Sequence, residues 1–281
     1  MYQDPADLST FKFRRRTPGS FVLVPCPKVG RSLRCQGQLE AAAAVTLVGC
    51  PLVSHILEQP LVIWYAWQET AGDVRIQLLD EAPRTRSSAK GRIQYSHIVP
   101  DFLVRMVSGK RRLLEVKPSQ RLERKIVQRK LAVAGAFARA QGWTFHVVTQ
   151  RELFAGPLLS NLRLLSRYRT LSADPALVDR IIQAVPSEGV PVIEVLAGPL
   201  SGIDLPTARI HVFHLLATDR LSFDPRAALL DDQSVLFPTG AVPWDPFDSV
   251  WAASGSSTGG PSASSANLPM DVLWPKTSNS T

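Results

Sequence analysis

The spacing of apolar and polar positions changes several times along the chain, and each change marks an element. Over residues 32–48, Leu39, Ala43 and Leu47 recur at every fourth position, which predicts a helix with Ser32 as its cap. Gly49, Cys50 and Pro51 end it. Residues 53–58 and 61–67 are short apolar-rich runs of strand type, and residues 75–79 extend the same sheet. Residues 99–107 and 111–116 are two more such runs about a turn at Ser108 and Gly109, which predicts a β-hairpin. The period becomes helical again over 119–141, with Leu122, Ile126, Ala134, Phe137 and Ala138 on the apolar face. Gly142 stops that helix and residues 143–148 return to strand. Thr149 with Glu152 then makes a capping box for a further helix. Strand, strand, helix, strand predicts an α/β domain with a mixed sheet flanked by helices.

The pattern is different at both ends. Residues 1–30 carry Arg14, Arg15 and Arg16, and then Pro25 and Pro27, which forbid a long helix, so they read as an arm. Residues 175–185, 191–197 and 206–217 predict three short helices, and residues 221–223 and 234–237 two short strands. Three helices and a hairpin suggest a winged-helix-like domain. From residue 249 the chain is rich in Ser, Gly, Pro and Asn and is expected to be disordered, with one apolar island at 268–274. The resulting plan is an arm (1–30), an α/β domain (31–170), a smaller domain (171–248) and a tail (249–281). A fragment ending near Arg169 is expected to fold by itself.

Composition sharpens this plan. The 281 residues are 45% hydrophobic and 20% charged, enough for one large or two small cores. No apolar run approaches the ~18 residues of a membrane span. The first ten residues show no signal-peptide pattern. Cys26, Cys35 and Cys50 are odd in number and lack a C-x-x-C spacing, which points to a reducing cytoplasm and away from a zinc site or disulfide frame. The net charge is +8, unevenly spread. Residues 84–139 hold fifteen Lys/Arg against three Asp/Glu, whereas residues 171–281 hold five against twelve. The basic segment suits phosphate contacts, and the acidic part suits a protein partner.

The candidate chemistry lies in the basic segment. Strand alternation places Glu115 and Lys117 on one side and Val116 on the other. Pairing about Ser108 and Gly109 brings Asp101 close to Glu115. Paired carboxylates are hard oxygen ligands of the kind Mg2+ takes, and a nearby lysine can orient or deprotonate an attacking water and offset charge on a phosphate. A solvated salt bridge is the plain alternative for Glu115 and Lys117. Glu40 stands beside the apolar stripe of the first helix and, on its pattern alone, is equally a surface residue. Arg121, Arg124, Lys125, Arg129 and Lys130 face a single acid, Glu123, so bound phosphates would relieve their repulsion; a solvated face is the alternative. The polar basic loop at 81–92 reads as a DNA clamp or as disorder. His97 is a candidate for positioning water or phosphate, or a packed strand histidine. His211 and His214 are three apart but lack the further ligands a metal site needs.

Pro100-Asp101 followed by Glu115-Val116-Lys117 resembles the PD-(D/E)xK signature of restriction-endonuclease-like nucleases. More narrowly, residues 30–170 resemble TnsA, the endonuclease subunit of heteromeric TnsA/TnsB transposases. The likeness rests on Gln38-Leu39-Glu40, Glu58-Gln59-Pro60, His97 with Pro100-Asp101-Phe102, Glu115-Val116-Lys117, Gly142-Trp143-Thr144-Phe145 and Val148-Thr149. The resemblance implies a restriction-endonuclease-like fold and a C-terminal winged-helix-like domain for protein contacts. It implies a metal-dependent DNA endonuclease cutting the 5′ strands at transposon ends beside a TnsB-like transposase, under a TnsC-like ATPase. It implies Glu40 as a catalytic acid. Glu40, Asp101 and Glu115 would then hold Mg2+, with Mn2+ as a substitute, and Lys117 would contact the phosphate or the attacking water; His97 and Gln59 are accessory candidates. The family often has another residue in place of Glu115, whose role follows the wider superfamily. A stand-alone restriction-type nuclease and a non-catalytic DNA-binding adaptor remain the alternatives.

Overall fold

The computed structural model describes residues 21–70, 73–84 and 93–249. The arginine cluster at 14–16, most of the basic loop at 81–92 and the apolar island at 268–274 lie outside the described residues.

Two strands open the described chain, β1 (Val22–Cys26) and β2 (Arg31–Cys35), paired antiparallel. Residues 22–30 are therefore not part of an arm. Val24, Cys26, Leu33 and Cys35 alternate inward and join the core of the following helix. Ser32 lies in β2 and caps nothing. Helix α1 (Gln38–Gly49) starts six residues later than expected, with Gly37 as its N-cap. Its run of four alanines is buried and lets the helix approach the sheet closely.

The central sheet has the order β3 (Val53–Glu58), β7 (Phe102–Met106), β8 (Arg111–Val116), β9 (Thr144–Val148). The first two pairings are antiparallel and β8–β9 is parallel, so the sheet is mixed. The β7–β8 hairpin forms as expected. Gly109 takes φ 82 in its turn, a conformation glycine adopts without steric cost. Alternation along β8 sends Leu114 and Val116 to the α1 side and Leu113 to the opposite side. There Leu57, Leu103 and Leu113 meet Val133, Ala134 and Ala138 of α2 (Lys125–Ala140). Burying each such leucine contributes about 1.5–3 kcal/mol.

The strand expected at 75–79 does not extend this sheet. It forms β5 (Asp73–Leu79) in a second, antiparallel sheet with β4 (Ile63–Thr70) and β6 (Gln94–Ile98), in the order β5-β4-β6. Ile63, Tyr65 and Ile98 join the α2 core.

Helix α2 begins at Lys125, not at Ser119. Ser119–Arg121 form a 3-10 turn, and Ser119 is held by Gln150, whose Oε1 accepts its N–H at 2.9 Å and whose Nε2 donates to its Oγ at 2.6 Å. Ile126, expected on the apolar face, is 55% exposed. Gly142 stops the chain after α2 at φ 71, and the Thr149–Glu152 capping box opens α3 (Gln150–Leu153) as expected.

Helix α4 (Leu158–Ser166) leads into a second core. That core packs α5 (Pro175–Ala184), α6 (Val192–Ala197) and α7 (Leu205–Ala217) against a small sheet. The sheet has the order β10 (Val190–Pro191), β12 (Val235–Pro238), β11 (Leu221–Ser222). The three expected helices and two strands are present, and β10 is additional.

The two cores exchange residues. Leu158, Leu159 and Leu162 of α4 enter the first core, and Leu165 enters the second. Asn161 is buried and ties α4 to the loop after β11. Its Nδ2 donates to the carbonyls of Pro225 and Ala228, and its Oδ1 accepts the Leu230 N–H. Trp244 and Phe247, far down the chain, return to the first core. Arg112 of β8 pairs with Asp245 at 2.8 Å and lies over the Phe247 ring, while His146 of β9 packs on the same ring. A fragment ending at Arg169 would lose this cover, so independent folding of the first 169 residues does not follow from the structure. No helix among the described residues is long and apolar enough to cross a membrane.

Candidate active site

The site forms where the β7–β8 hairpin opens. Phe102 pairs with Leu114, so Asp101 and Glu115 stand level across the two strands. Asp101 is fixed twice. Its Oδ2 accepts the Val116 N–H at 2.6 Å, and its carbonyl accepts the Gln59 N–H at 2.9 Å. Glu115 is 3% exposed, on the last turn of the pleat before β8 ends. The Lys117 ammonium lies between the two acids, 2.5 Å from Glu115 Oε1 and 3.5 Å from Asp101 Oδ2. It also donates to the Val116 carbonyl at 3.2 Å. The expected trio is therefore brought together.

Glu40 joins from α1. It sits in the first helical turn and its Oε2 accepts the Gln36 N–H at 2.7 Å. Burial and the charge of Asp101 push its carboxyl up to about 7, against the Gln36 N–H and Lys117. Burial, then Asp101, pushes Glu115 up to about 8 despite Lys117. Burial raises Asp101 too, overriding Lys117 and the Val116 N–H. Burial alone would pull Lys117 down, but Asp101, Glu115 and Glu40 together carry it above the usual ammonium range. All three acids resist ionisation chiefly because removal from water disfavours their charged forms, and the single lysine among them offsets only part of that.

That imbalance bears on whether a cation fits. Glu115 Oε2 is buried without a hydrogen-bond partner. Among the described residues, no three Asp, Glu, His or Cys side chains stand close enough together to hold a metal ion as they are placed. Lys117 occupies the space between Asp101 and Glu115. The donor set still suits a hard cation that uses few protein ligands and keeps its own waters, with Glu115 Oε2 as an unclaimed oxygen.

The basic residues divide. Arg121, Arg124 and Lys125 are exposed around the start of α2. Lys130 is half-buried. Arg129 is also half-buried, and its guanidinium lies 3.3 Å from the centroid of the Trp67 ring. Its helical position points it toward β4, which the charge pattern alone did not show.

The accessory candidates also separate. His97 packs on Trp64 at 4.7 Å between centroids, the arrangement of a packed strand histidine. Gln59 meets the site through its backbone N–H and takes φ 45, a strained conformation for a residue with a side chain. His211 and His214 are engaged elsewhere. His211 Nε2 accepts the Asp174 N–H, so its Nδ1 is the protonated nitrogen and donates to the Thr207 carbonyl. His214 Nδ1 lies 3.0 Å from the Tyr168 carbonyl.

One neighbour was not singled out as a functional residue from the sequence. Glu58 is 1% exposed at the end of β3, and both its oxygens are forked by Arg31, at 2.6 and 2.8 Å. The available signal was an acid at the inward-facing end of an apolar strand. The Cys35 thiol lies in the same neighbourhood. Burial first, then the charges of Glu40, Glu58 and Asp101, push it far above its usual range.

Residues 50–150 match the family model described as TnsA-like endonuclease N terminal. The matched segment, somewhat over a third of the chain, includes Asp101, Glu115 and Lys117 and begins after Glu40. No curated protein matches the chain.

Proposed function

We propose, from the premise that residues 50–150 are a TnsA-like endonuclease N-terminal domain, that this chain is the metal-dependent DNA endonuclease subunit of a heteromeric transposase. In this reading it cuts the 5′ strands at transposon ends during cut-and-paste transposition. The single observation that carries it is the cluster of Asp101, Glu115 and Lys117 at the hairpin mouth, with Glu115 Oε2 buried and unpartnered.

Glu40, Asp101 and Glu115 would hold Mg2+, with Mn2+ as a working substitute. The bound ion supplies Lewis-acid activation of water and of the phosphate. The chain's own residues do the rest. Asp101 is locked to Val116 and Gln59, so its carboxylate is presented without reorganisation. Lys117 is held protonated by its acidic neighbours. In this role it contacts a scissile phosphate or the attacking water as a hydrogen-bond donor and point charge. Arg121, Arg124 and Lys125 hold the flanking phosphates, and Lys130 flanks them.

The division of the chain is part of the proposal. Residues 22–170, with the returning segment at 244–247, form a restriction-endonuclease-like nuclease unit, and residues 171–243 a winged-helix-like module. The acidic C-terminal part, at five Lys/Arg against twelve Asp/Glu, would repel DNA and dock instead on a TnsB-like transposase or a TnsC-like ATPase. The island at 268–274 is a short docking motif in the same reading. The site would act in the bacterial cytoplasm.

Strand mapping tests this function. End-labelled DNA carrying an element end is incubated with the full chain and its transposase partner in Mg2+. The expected cut maps to the 5′ strand at the element boundary. Cuts spread over unrelated DNA would instead indicate a stand-alone restriction-type nuclease.

A further inference from the structure

We infer that Arg31 and Glu58 are positioning residues that hold the Glu40 and Asp101 carboxylates in register for the cation and substrate. This rests on the endonuclease reading and extends it to a pair that touches neither metal nor DNA in that reading.

The two acids reach the site on different limbs. Asp101 precedes β7, whose neighbour is β3, and Glu58 at the end of β3 pairs with Phe102. The next residue, Gln59, donates its backbone N–H to the Asp101 carbonyl at 2.9 Å, from a strained φ of 45. Strain of this kind persists only where its surroundings over-determine it. Glu40 arrives on the other limb. Strand β2 starts at Arg31 and ends at Cys35, and Gln36 then donates its N–H to Glu40 Oε2. The Arg31–Glu58 fork joins the start of β2 to the end of β3, and so joins the Glu40 limb to the Asp101 limb. Arg31 Nη1 also reaches the Ser32 carbonyl at 3.1 Å, which fixes the guanidinium plane.

The pair is half-buried, with Glu58 1% and Arg31 36% exposed, and such a pair is a poor device for stability alone. Taking the Glu58 carboxylate out of water costs much of what the attraction returns, and matched apolar residues often serve the fold equally well. Two parallel N–H···O contacts do supply directional rigidity. Outer partners that orient metal-binding side chains typically contribute about 10- to 100-fold to metal affinity or activity.

The test uses the full chain with Arg31→Met and Glu58→Met combined, which replaces the pair by apolar side chains of similar reach. Circular dichroism establishes folding. Mn2+ binding by calorimetry, without DNA, is the first readout. The Mg2+ midpoint and maximal rate of cleavage, with DNA affinity, are the second. The expected result is a folded chain with Mn2+ affinity about 10- to 100-fold weaker, a raised Mg2+ midpoint and unchanged DNA affinity. Unchanged Mn2+ affinity and cleavage in the folded variant would overturn the inference. If the double variant does not fold, Arg31→Lys decides: it keeps the charge but loses the two-point fork. Weakened Mn2+ binding in folded Arg31→Lys supports positioning. Normal Mn2+ binding, or failure of Arg31→Lys to fold, overturns it, the latter by making the pair a folding element. Asp101→Ala is run in parallel. If that variant retains Mn2+ binding and cleavage, the endonuclease reading itself fails, separately from the fork.

Discussion

Asp101 Oδ2 accepts the backbone N–H of Val116 at 2.6 Å, so the carboxylate that opens β7 is locked to the last residue of β8. This contact carries the register of the hairpin into the site. It sets Asp101 beside Glu115 and turns both toward Lys117.

Lys117→Met should destabilise the metal-free protein. It leaves Asp101 and Glu115 buried without their cationic partner, a loss of about 1–3 kcal/mol for groups left unsatisfied. Urea denaturation with and without Mg2+ measures this. Mg2+ should recover part of the lost stability, whereas metal-free stability equal to that of the unaltered chain would mean the lysine does not compensate the acids.

The same crowding sets a pH dependence. Glu40 is pushed up to about 7 and Glu115 to about 8, from ordinary values near 4.5, chiefly by burial. Between these limits the folded chain keeps protons that the unfolded chain releases, so the stability they contribute is present below about 4.5 and is lost as pH rises through 7–8. Lys117 is raised from 10.5, so its own contribution is lost only above that pH and does not enter this window. Metal-free melting temperature should therefore fall between pH 6 and pH 8.5. Mg2+ should raise it more at pH 8.5, where the acids ionise. A flat or rising profile without metal would contradict the assignment of the shifts to these carboxyls.

How far the sequence reached depends on the range of the contact. Period-2 alternation and a Ser-Gly turn are local, so the β7–β8 hairpin and the meeting of Asp101 with Glu115 were legible. Glu40 was legible only through resemblance, because an acid beside an alanine stripe looks like any surface residue. The Arg31–Glu58 fork spans 27 positions and has no local signature. Ser32 before an apolar run looked like a helix cap because the pairing of β2 with β1, which claims it, depends on a partner strand. Trp244 and Phe247 returning to the first core from beyond the second was the least legible feature, since nothing in their neighbourhood marks a destination.

That return yields a stability prediction. Phe247 is buried between Arg112 and His146, so Phe247→Ala should cost about 3–5 kcal/mol through the lost contacts and the cavity left behind. Chemical denaturation followed by near-ultraviolet circular dichroism checks this. A change under about 1 kcal/mol would mean the 244–247 segment contributes little to the first core.

The basic residues should separate by role. Reversing Arg121, Arg124 and Lys125 to Glu should weaken DNA binding and reduce the slope of log K against log salt by about 0.9 per lost phosphate contact. Arg129→Ala should leave that slope unchanged and reduce stability by about 0.5–2 kcal/mol through loss of the Trp67 contact. The reverse pattern, with Arg129 controlling the slope, would place the phosphates on the β4 side of α2.

Strand cleavage by Asp101→Ala tests the central claim most directly. The variant and the unaltered full chain, both verified as folded by circular dichroism, are assayed with the transposase partner on element-end DNA in Mg2+. The account predicts cleavage by the unaltered chain and none by the variant, with DNA affinity retained in both. Cleavage by Asp101→Ala at the unaltered rate would contradict it, because the hairpin mouth would then not be the active site.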